Sequence, residues 1–494
     1  MSTTDSTAPA PTGPVAAQPG IAPAHNFLIW IMLVATFVVF LNETVVNVAM
    51  PSIMASLNVD AASVQWLLTA FMLTMAVVIP MTGFLIRRFA TKRVFVAAMA
   101  LFTLGTLIGT LAPDFITLVV ARVVQAAGTG VMMPLLMTTI MELVPLHQRG
   151  RMMGRVSIVI AAAPALGPLL GGLVINWFDW RAIFVMVLPV AILALVLGLW
   201  RVVDVQEAER VPIDVLSVVL SALGFGGLVL GLSELGHAAQ GVAFVAPWIP
   251  LVAGALALGG FVWRQFVLQR EDDALIDLRI LAVPGFLWAL ICAAGLCAVL
   301  FGANVLLPLY LQDARGLTAL DSGLIVMPGG LLMGLAGPTV GRWYDRFGPR
   351  PLVIPGTVLA TLALAGMAIG YTLDTQIWLV VVLYMLLTAG MALMFGPLFT
   401  AGIGALPKER FSYGSATLGT IQQLAGAAGT AAIIVVYTVA GLQVTDAGGS
   451  SVEATAAGTH QAFLVAALAF VVVIGLSLLV RRPADEVEGA PAPH

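Results

Sequence analysis

Fourteen apolar runs, each about 20 residues long, account for most of this chain of 494 residues. A run of this length crosses the hydrocarbon core of a bilayer when it folds as an α-helix. Only 10% of the residues are charged and 60% are hydrophobic, which excludes an ordinary soluble domain, where about a quarter are charged. The sequence therefore predicts an all-α integral membrane protein with 14 transmembrane helices. The predicted spans lie near residues 27–50, 64–86, 94–111, 115–141, 154–177, 182–201, 213–234, 246–265, 285–310, 321–341, 351–371, 376–404, 412–440 and 461–480.

The basic residues are distributed unevenly between the two sides of the predicted bundle. With the N-terminus inside, 19 of the 22 Lys and Arg residues fall in inside loops or tails, and only Arg181 and Arg315 fall outside. Arg122 lies within a span. Loops rich in Lys and Arg remain in the cytoplasm. We therefore expect a multi-pass protein of the inner (cytoplasmic) membrane, embedded in the lipid bilayer, with both termini cytoplasmic.

Two pairs of short segments repeat along the chain. NVAMP at 47–51 matches NVLLP at 304–308, and PMTGFLIRRF at 80–89 matches PTVGRWYDRF at 338–347, with offsets of 257 and 258 residues. Each match falls at the same place in its span, so the first six spans pair with the last six. Internal repeats of this kind build secondary transporters, with the solute site between the halves. The predicted units are a disordered cytoplasmic tail at 1–26, a six-helix bundle at 27–201, two inserted helices with linkers at 202–284, a second six-helix bundle at 285–480 and a cytoplasmic tail at 481–494.

The first span contains a carboxylate in an apolar helix, in the stretch FVVFLNETVVNVAMP at 37–51. A charge at such a position costs about 2.5–3.5 kcal/mol on insertion scales. Thr36, Phe40, Glu43 and Asn47 follow one another at helical spacing and share one stripe. A largely polar stripe on an apolar helix faces a bundle interior or a water-filled cavity.

The fourth span carries a charge of the opposite sign. Arg122, Gln125 and Thr129 form a second stripe, so Glu43 and Arg122 are the candidate proton-coupling pair. The alternative is an ion pair that only holds the bundle together. Leu300 occupies the position of Glu43 in the second repeat, so a symmetric structural pair is not repeated there.

Several motifs resemble those of one family. GRWYDRFGPR at 341–350 matches a cytoplasmic signature of the major facilitator superfamily, and GFLIRRFATKR at 83–93 is its first-half copy, with Arg87 where the family usually has Asp. The run GPLLGG at 167–172 resembles an antiporter signature that marks exporters. Together with the LNET stretch, these motifs are similar to those of the fourteen-helix drug:proton antiporters, and in particular of lincomycin-resistance exporters. The resemblance covers roughly residues 27–480.

The resemblance implies a major facilitator fold and a proton-coupled exporter of drugs or antibiotics, with the proton as coupling ion. The family usually has Asp at the position of Asn42, so the coupling role passes to Glu43 by a shift of one residue. If Asn42 also faces the cavity, Asn42→Asp should partly rescue Glu43→Gln. The residues implied in the substrate cavity are Asn42, Asn47, Gln125, Asn304, Gln422 and Gln423. Those implied in gating are Gly83, Arg88, Gly341, Asp345, Arg346, Gly348, Arg350, Gly167, Pro168, Gly171 and Gly172.

The two loop motifs predict unequal gates. In the family, the loop aspartate lies near a helix N-terminus of the opposite half, where the helix dipole favours negative charge. Asp345 can take this role, whereas Arg87 would be repelled by the same dipole. We therefore expect a protein that rests more open to the cytoplasm than relatives with two aspartates.

Other functional classes fit the sequence poorly. The five histidines fall in loops or tails, and the spans show no nucleophile–base set of an enzyme and no metal cluster. No nucleotide-binding GxxxxGK[ST] motif occurs, so we expect no cofactor and no use of ATP. The expected partners are small molecules, often amphipathic or cationic, and not nucleic acid, and we expect a monomer. A dedicated exporter of a metabolite, an amino acid or a lipid on the same fold remains the alternative.

Overall fold

A computed structural model describes residues 23–59, 61–204, 214–239, 241, 243–270, 274–372 and 374–480. Residues 1–22, most of the first predicted tail, and residues 481–494, all of the second, lie outside the described residues. Residues 205–213 and 271–273 of the predicted insert also lie outside the described residues.

The described part of the chain contains fourteen helices of at least 21 residues, which we number in chain order. They are α1 (Pro23–Leu57), α2 (Trp66–Arg88), α3 (Thr91–Leu111), α4 (Phe115–Leu143), α5 (Arg149–Trp177), α6 (Arg181–Arg201), α7 (Val215–Ala239), α8 (Trp248–Leu268), α9 (Pro284–Leu309), α10 (Ala319–Phe347), α11 (Arg350–Gly370), α12 (Ile377–Gly404), α13 (Phe411–Asp446) and α14 (Ser451–Ser477).

Thirteen helices in the described ranges are long and apolar enough to cross a membrane. The remaining long helix, α5, has 29 residues and no charged residue between Ile158 and Trp177. The architecture is therefore all-α, and the count of long helices agrees with the fourteen predicted spans.

Several helices extend beyond the apolar runs that predict them. The first helix begins at Pro23, so residues 23–26 are helical and not part of a tail. The last begins at Ser451 instead of near 461, because Ser450 and Glu453 form a capping box. Such a box satisfies free amides at a helix start regardless of hydropathy, and hydropathy alone therefore misses the boundary.

The packing of helices follows the sequence repeat. In the first six helices, α1 packs along α5, α2 along α4 and α3 along α6. In the last six, α9 packs along α13, α10 along α12 and α11 along α14. The inserted helices α7 and α8 pack against each other, and α7 also lies against α2 and α13.

Polar side chains hold the segment between α8 and α9. Gln265 accepts hydrogen bonds from the amides of Leu275 and Ile276 at 2.7 and 3.2 Å. The buried carboxylate of Asp277 lies 3.0 Å from the guanidinium of Arg410. Since Arg410 precedes α13, this segment joins the inserted pair to the last six helices. We call the end of the bundle that contains this segment and the loops after α2, α4 and α10 the basic side.

Candidate functional site

Two helices from opposite halves meet with their backbones in contact at the basic side. A Cβ added at Gly150 of α5 would overlap the carbonyl oxygen of Gly341 in α10, and the reverse also holds. Gly154 and Gly337 form a second reciprocal pair one turn away. Small residues let helices approach this closely. The four glycines therefore bring α5 and α10 together without intervening side chains.

Asp345 closes the same contact from the end of α10. Its two carboxylate oxygens accept hydrogen bonds from the backbone amides of Gly150 and Arg151 at 2.6 and 2.9 Å. These amides belong to the first turn of α5, which lacks partners within its own helix. The carboxylate also complements the helix dipole, as expected for the loop aspartate.

Arg87 makes a different contact at the pseudo-equivalent position. Its guanidinium donates a hydrogen bond to the hydroxyl of Tyr413 in the first turn of α13 and lies 5.0 Å from the centre of that ring. The expected repulsion by the dipole of α13 is therefore countered by an aromatic face and a hydroxyl acceptor. Gly83 lies beneath this contact. A Cβ added at Gly83 would lie 3.2 Å from the carbonyl oxygen of Ser412.

Further contacts between the halves surround these two. The hydroxyls of Thr138 in α4 and Ser415 in α13 lie 2.6 Å apart and are buried. Arg149 lies over the ring of Phe411 at 5.4 Å. The structure is thus closed at the basic side. The expectation that the protein rests more open to the cytoplasm than relatives with two aspartates compares populations of conformations and stays a prediction. The sequence reasoning considered only the charge of Arg87 and not the aromatic partner that accepts it.

The polar stripe of α1 becomes more exposed away from the basic side. Thr36 is fully buried, Phe40 and Glu43 are half-buried, and Asn47 is exposed. Asn304, which matches Asn47 in the repeat, is exposed on α9. The stripe therefore leads from a buried centre towards open space at the end opposite the basic side.

Arg122 lies fully buried in a network of polar groups. It donates hydrogen bonds to the side-chain oxygens of Asn42 at 3.2 Å and Gln125 at 3.1 Å, and to the carbonyl of Leu67 at 3.3 Å. Its guanidinium carbon lies 4.0 Å from the centre of the Phe71 ring. One guanidinium nitrogen has no hydrogen-bond partner. Asn42 and Gln125 thus belong to this buried network and are not exposed to the space between the halves.

Glu43 lies beside this network but outside it. Among the described residues, its carboxylate has no hydrogen bond and no ion pair within 4.0 Å, and Arg122 acts on it only through space. The direct Glu43–Arg122 ion pair that sequence reasoning kept as an alternative is therefore absent from the described part of the chain. Glu43 thus carries a half-buried carboxylate without a fixed partner among the described residues.

The remaining predicted cavity residues lie in the last six helices. Tyr384 of α12 donates a hydrogen bond to the side-chain oxygen of Asn304 at 3.0 Å. Gln422 and Gln423 of α13 are half-buried and have no hydrogen bond in the described part of the chain. The two glutamine side chains and the amide nitrogen of Asn304 thus have no hydrogen-bond partner among the described residues.

The predicted gating residues named below make three different kinds of contact. Arg350 donates to the carbonyls of Val480 and Leu478 at 3.0 and 2.6 Å, which ties α11 to the end of α14. Gly348 ends α10 with a φ of 79°, a conformation that favours glycine. Arg88 and Arg346 lie over neighbouring phenylalanine rings on their own chain segments.

The small residues of α5 face α1. A Cβ added at Gly167 would overlap the hydroxyl of Thr44, and one at Gly171 would lie 3.2 Å from Val45. Gly172 has nothing within 4 Å of an added Cβ. The backbone of Pro168 is helical, but its side chain lies outside the described residues. Close approach of α5 to the stretch around Glu43 thus depends on Gly167.

A cavity of about 530 Å³ lies apart from this site, between α2, α7 and α8. Its walls are apolar and small side chains, among them Val77, Gly226 and Ala253. It contains none of the predicted polar residues.

Sequence reasoning missed four residues that complete the site. Phe71 supports Arg122, and the hydroxyl of Thr106 accepts from Gln125 at 2.9 Å. Tyr413 receives Arg87, and Tyr384 binds Asn304. Aromatic and threonine residues are common in membrane helices, so nothing in the sequence distinguishes these from residues that only fill space.

Comparison with known proteins agrees with the fold. The sequence profile described as Major Facilitator Superfamily matches residues 32–430. The lincomycin resistance protein LmrB of Listeria monocytogenes is 35% identical over 455 residues, covering 91% of this chain and 95% of that protein. An uncharacterized MFS-type transporter, YcnB of Bacillus subtilis, is 38% identical over 470 residues, covering 95% and 98%.

Solved structures with little sequence similarity share the fold. The human organic anion transporter MFSD10 has a TM-score of 0.66 at 15% identity, covering 92% of this chain and 100% of that one. The proton:xylose symporter XylE has a TM-score of 0.64 at 14% identity, covering 94% and 98%. The fold, the matching profile and these relatives define a membrane transporter. The chain belongs to the Major Facilitator Superfamily.

Proposed function

We propose that this transporter exports drugs or antibiotics in exchange for protons, with the basic side in the cytoplasm. The main support for this proposal is the position of the Glu43 carboxylate. It lies half-buried beside the Arg122 network and has no hydrogen bond in the described residues. The orientation rests on the excess of Lys and Arg at that side. The export direction and substrate class rest on similarity to proteins named for lincomycin and multidrug resistance.

In this arrangement, a proton and a cationic or polar substrate compete for the carboxylate of Glu43. A substrate that reaches Glu43 from between the halves favours the ionised carboxylate, and a proton that arrives from the opposite side displaces the substrate. Arg122 stays fixed because Asn42, Gln125 and Leu67 hold it. Its buried charge keeps the region polar in both states. Asn304, Gln422 and Gln423 provide hydrogen-bonding groups from the other half.

Transport by the purified protein in proteoliposomes tests this proposal. The measurement is uptake or release with and without an imposed pH gradient, across lincosamides, cationic dyes and amino acids. We expect gradient-dependent transport of lincosamides or dyes. Gradient-dependent transport of amino acids alone would instead favour the dedicated exporter.

Two variants of one residue separate proton coupling from binding. Glu43→Gln should retain substrate binding but lose gradient-driven transport by about tenfold or more. Glu43→Asp keeps a titratable group and should retain most of the activity. Wild-type transport by Glu43→Gln would show that Glu43 does not carry the proton.

A further inference from the structure

A small polar cavity lies on the basic side, away from the Glu43 site. It has a volume of about 200 Å³ and opens between the start of α1 and the first two turns of α5. Its walls are formed by Asn26, Gln148, Arg151, Met152 and Arg155. The transport mechanism proposed above uses none of these side chains.

The two arginines of this cavity lack acidic partners within the described ranges. They follow at a spacing of four residues and so share one face of α5. Among the described residues, the guanidinium of Arg155 donates one hydrogen bond, to the sulfur of Met152 at 3.8 Å, and lies 5.4 Å from the centre of the Trp30 ring. Asp345, the nearby acid, accepts from the backbone amides of Gly150 and Arg151.

Three other arginines on the same side are paired with acids. Arg264 forms two hydrogen bonds with Asp214, at 3.0 and 3.1 Å. Arg279 and Arg410 both bind Asp277. The cavity therefore concentrates two uncompensated guanidinium groups beside the amides of Asn26 and Gln148. This set of donors suits a phosphate oxyanion, which guanidinium groups bind in bidentate fashion.

The surroundings of the cavity indicate that this phosphate belongs to a lipid. Phe27, Trp30 and Val34 form an exposed apolar stripe along α1, with exposed fractions of 44, 46 and 47%. On α5, exposed Ile158 follows Arg155 after one turn. The basic groups thus stand at the end of an apolar, lipid-facing surface, with Trp30 at the boundary, where tryptophan is enriched in membrane proteins. A free phosphate ion would use only the basic end of this surface.

We propose that Arg151 and Arg155 bind the phosphate headgroup of an acidic phospholipid in the leaflet on the basic side. Asn26 and Gln148 contribute hydrogen bonds to the same headgroup. The acyl chains lie along Trp30, Val34 and Ile158. Basic pockets between membrane helices are suited to such headgroups.

Native mass spectrometry of the full-length protein in detergent tests the site. The probes are phosphatidylglycerol and the zwitterionic phosphatidylcholine, titrated at equal concentrations. The wild-type protein should bind phosphatidylglycerol preferentially. The Arg151→Gln/Arg155→Gln variant should bind phosphatidylglycerol about tenfold more weakly, with its affinity for phosphatidylcholine unchanged.

A matched variant controls for net charge. Arg270→Gln/Lys408→Gln removes two exposed cations elsewhere on the basic side and should bind phosphatidylglycerol like the wild type. An equal loss of phosphatidylglycerol affinity in both double variants would overturn the assignment of this site, because net charge alone would then explain the binding. If the first double variant is poorly folded, Arg155→Gln alone should still lower binding about threefold.

Competition by soluble anions separates the two sources of phosphate. Inorganic phosphate and glycerol 3-phosphate at the lipid's concentration should not displace phosphatidylglycerol, because they lack the acyl chains that occupy the apolar stripe. Displacement by either would overturn the lipid assignment in favour of a site for free phosphate.

Discussion

Arg87 of α2 lies over the ring of Tyr413 in the first turn of α13, 5.0 Å from its centre, and donates a hydrogen bond to its hydroxyl. The same hydroxyl donates to the carbonyl of Ala274 at 3.2 Å, in the segment before α9. At the pseudo-equivalent contact, Asp345 binds the amides at the start of α5. The two halves of the repeat thus close the basic side with side chains of opposite charge.

Loss of the Arg87 contact should open the basic side. Arg87→Ala removes a cation–π contact and a hydrogen bond between the halves, together worth about 1 kcal/mol, or about a fivefold change in the ratio of closed to open molecules. Electron–electron double resonance between spin labels at the exposed positions Phe89 and Lys408 measures this ratio. The population with long distances should grow.

Variants in the same region sharpen this prediction. Tyr413→Phe removes only the hydroxyl and should have a smaller effect in the same direction. Arg93→Ala removes an exposed arginine of the adjacent helix and should leave the distances unchanged. If Arg87→Ala shortens the distances or leaves them as they are, the contact does not hold the two halves together.

A carboxylate at position 42 should not replace Glu43. The side-chain oxygen of Asn42 is fully buried and 3.2 Å from a guanidinium nitrogen of Arg122, so Asn42→Asp would form an ion pair there. Proteoliposomes with Asn42→Asp/Glu43→Gln should therefore show gradient-driven transport reduced about tenfold, as in Glu43→Gln alone. Recovery of transport in the double variant would mean that position 42 reaches the cavity, as the sequence resemblance suggested.

The glycines of α5 should differ sharply in tolerance. An added Cβ at Gly154 would lie 2.6 Å from the Pro338 Cα, so Gly154→Ala should destabilise the structure by about 1–3 kcal/mol through overpacking. Gly172→Ala, where nothing lies within 4 Å, is the matched control. Thermal unfolding in detergent should show a lower midpoint for the first variant only. Equal midpoints would contradict the close contact of α5 with α10.

The stability of the inserted pair should fall at low pH. Hydrogen bonds from Arg264 hold the pKa of Asp214, just before α7, below its ordinary value of 3.8. A lowered pKa means that this contribution is complete above pH 3.8 and is lost as the pH falls through the lower value. Asp214→Asn should therefore lower the unfolding midpoint at pH 7 and weaken its pH dependence below pH 4. Asp446→Asn, at the end of α13, should do neither.

Hydropathy and repetition predicted the fold because both are properties of single segments. Each span must satisfy its own backbone in lipid, so length and apolarity identify it without knowledge of its neighbours. The boundaries of α1 and α14 escaped this reasoning, since polar turns continue a helix when caps such as Ser450 and Glu453 support them.

The candidate site was less predictable because its partners lie on different helices. The stripe of α4 matches the buried network of Arg122 and Gln125, but on α1 the residue in that network is Asn42, which lies outside the predicted stripe. The two stripes did not indicate that Arg122 donates to Asn42 while the carboxylate of Glu43 has no hydrogen bond or ion pair in the described residues. A change of one residue turns a helical side chain by about 100°, and only the packed structure decides which of two neighbours meets the arginine.

Glu43 is, among the described residues, the one acid in the middle third of a long helix (α1 to α14). A single carboxyl carries a single proton, so the proposed exchange with a singly charged cation moves no net charge across the bilayer. The membrane voltage then does not contribute to the driving force. At equilibrium the concentration ratio of the cation equals that of the proton, which is about tenfold per pH unit. For an uncharged substrate the same exchange is electrogenic, and each 100 mV adds about 2.3 kcal/mol. Under the proposed exchange, the charge of the substrate therefore sets the steepest gradient that the protein can sustain.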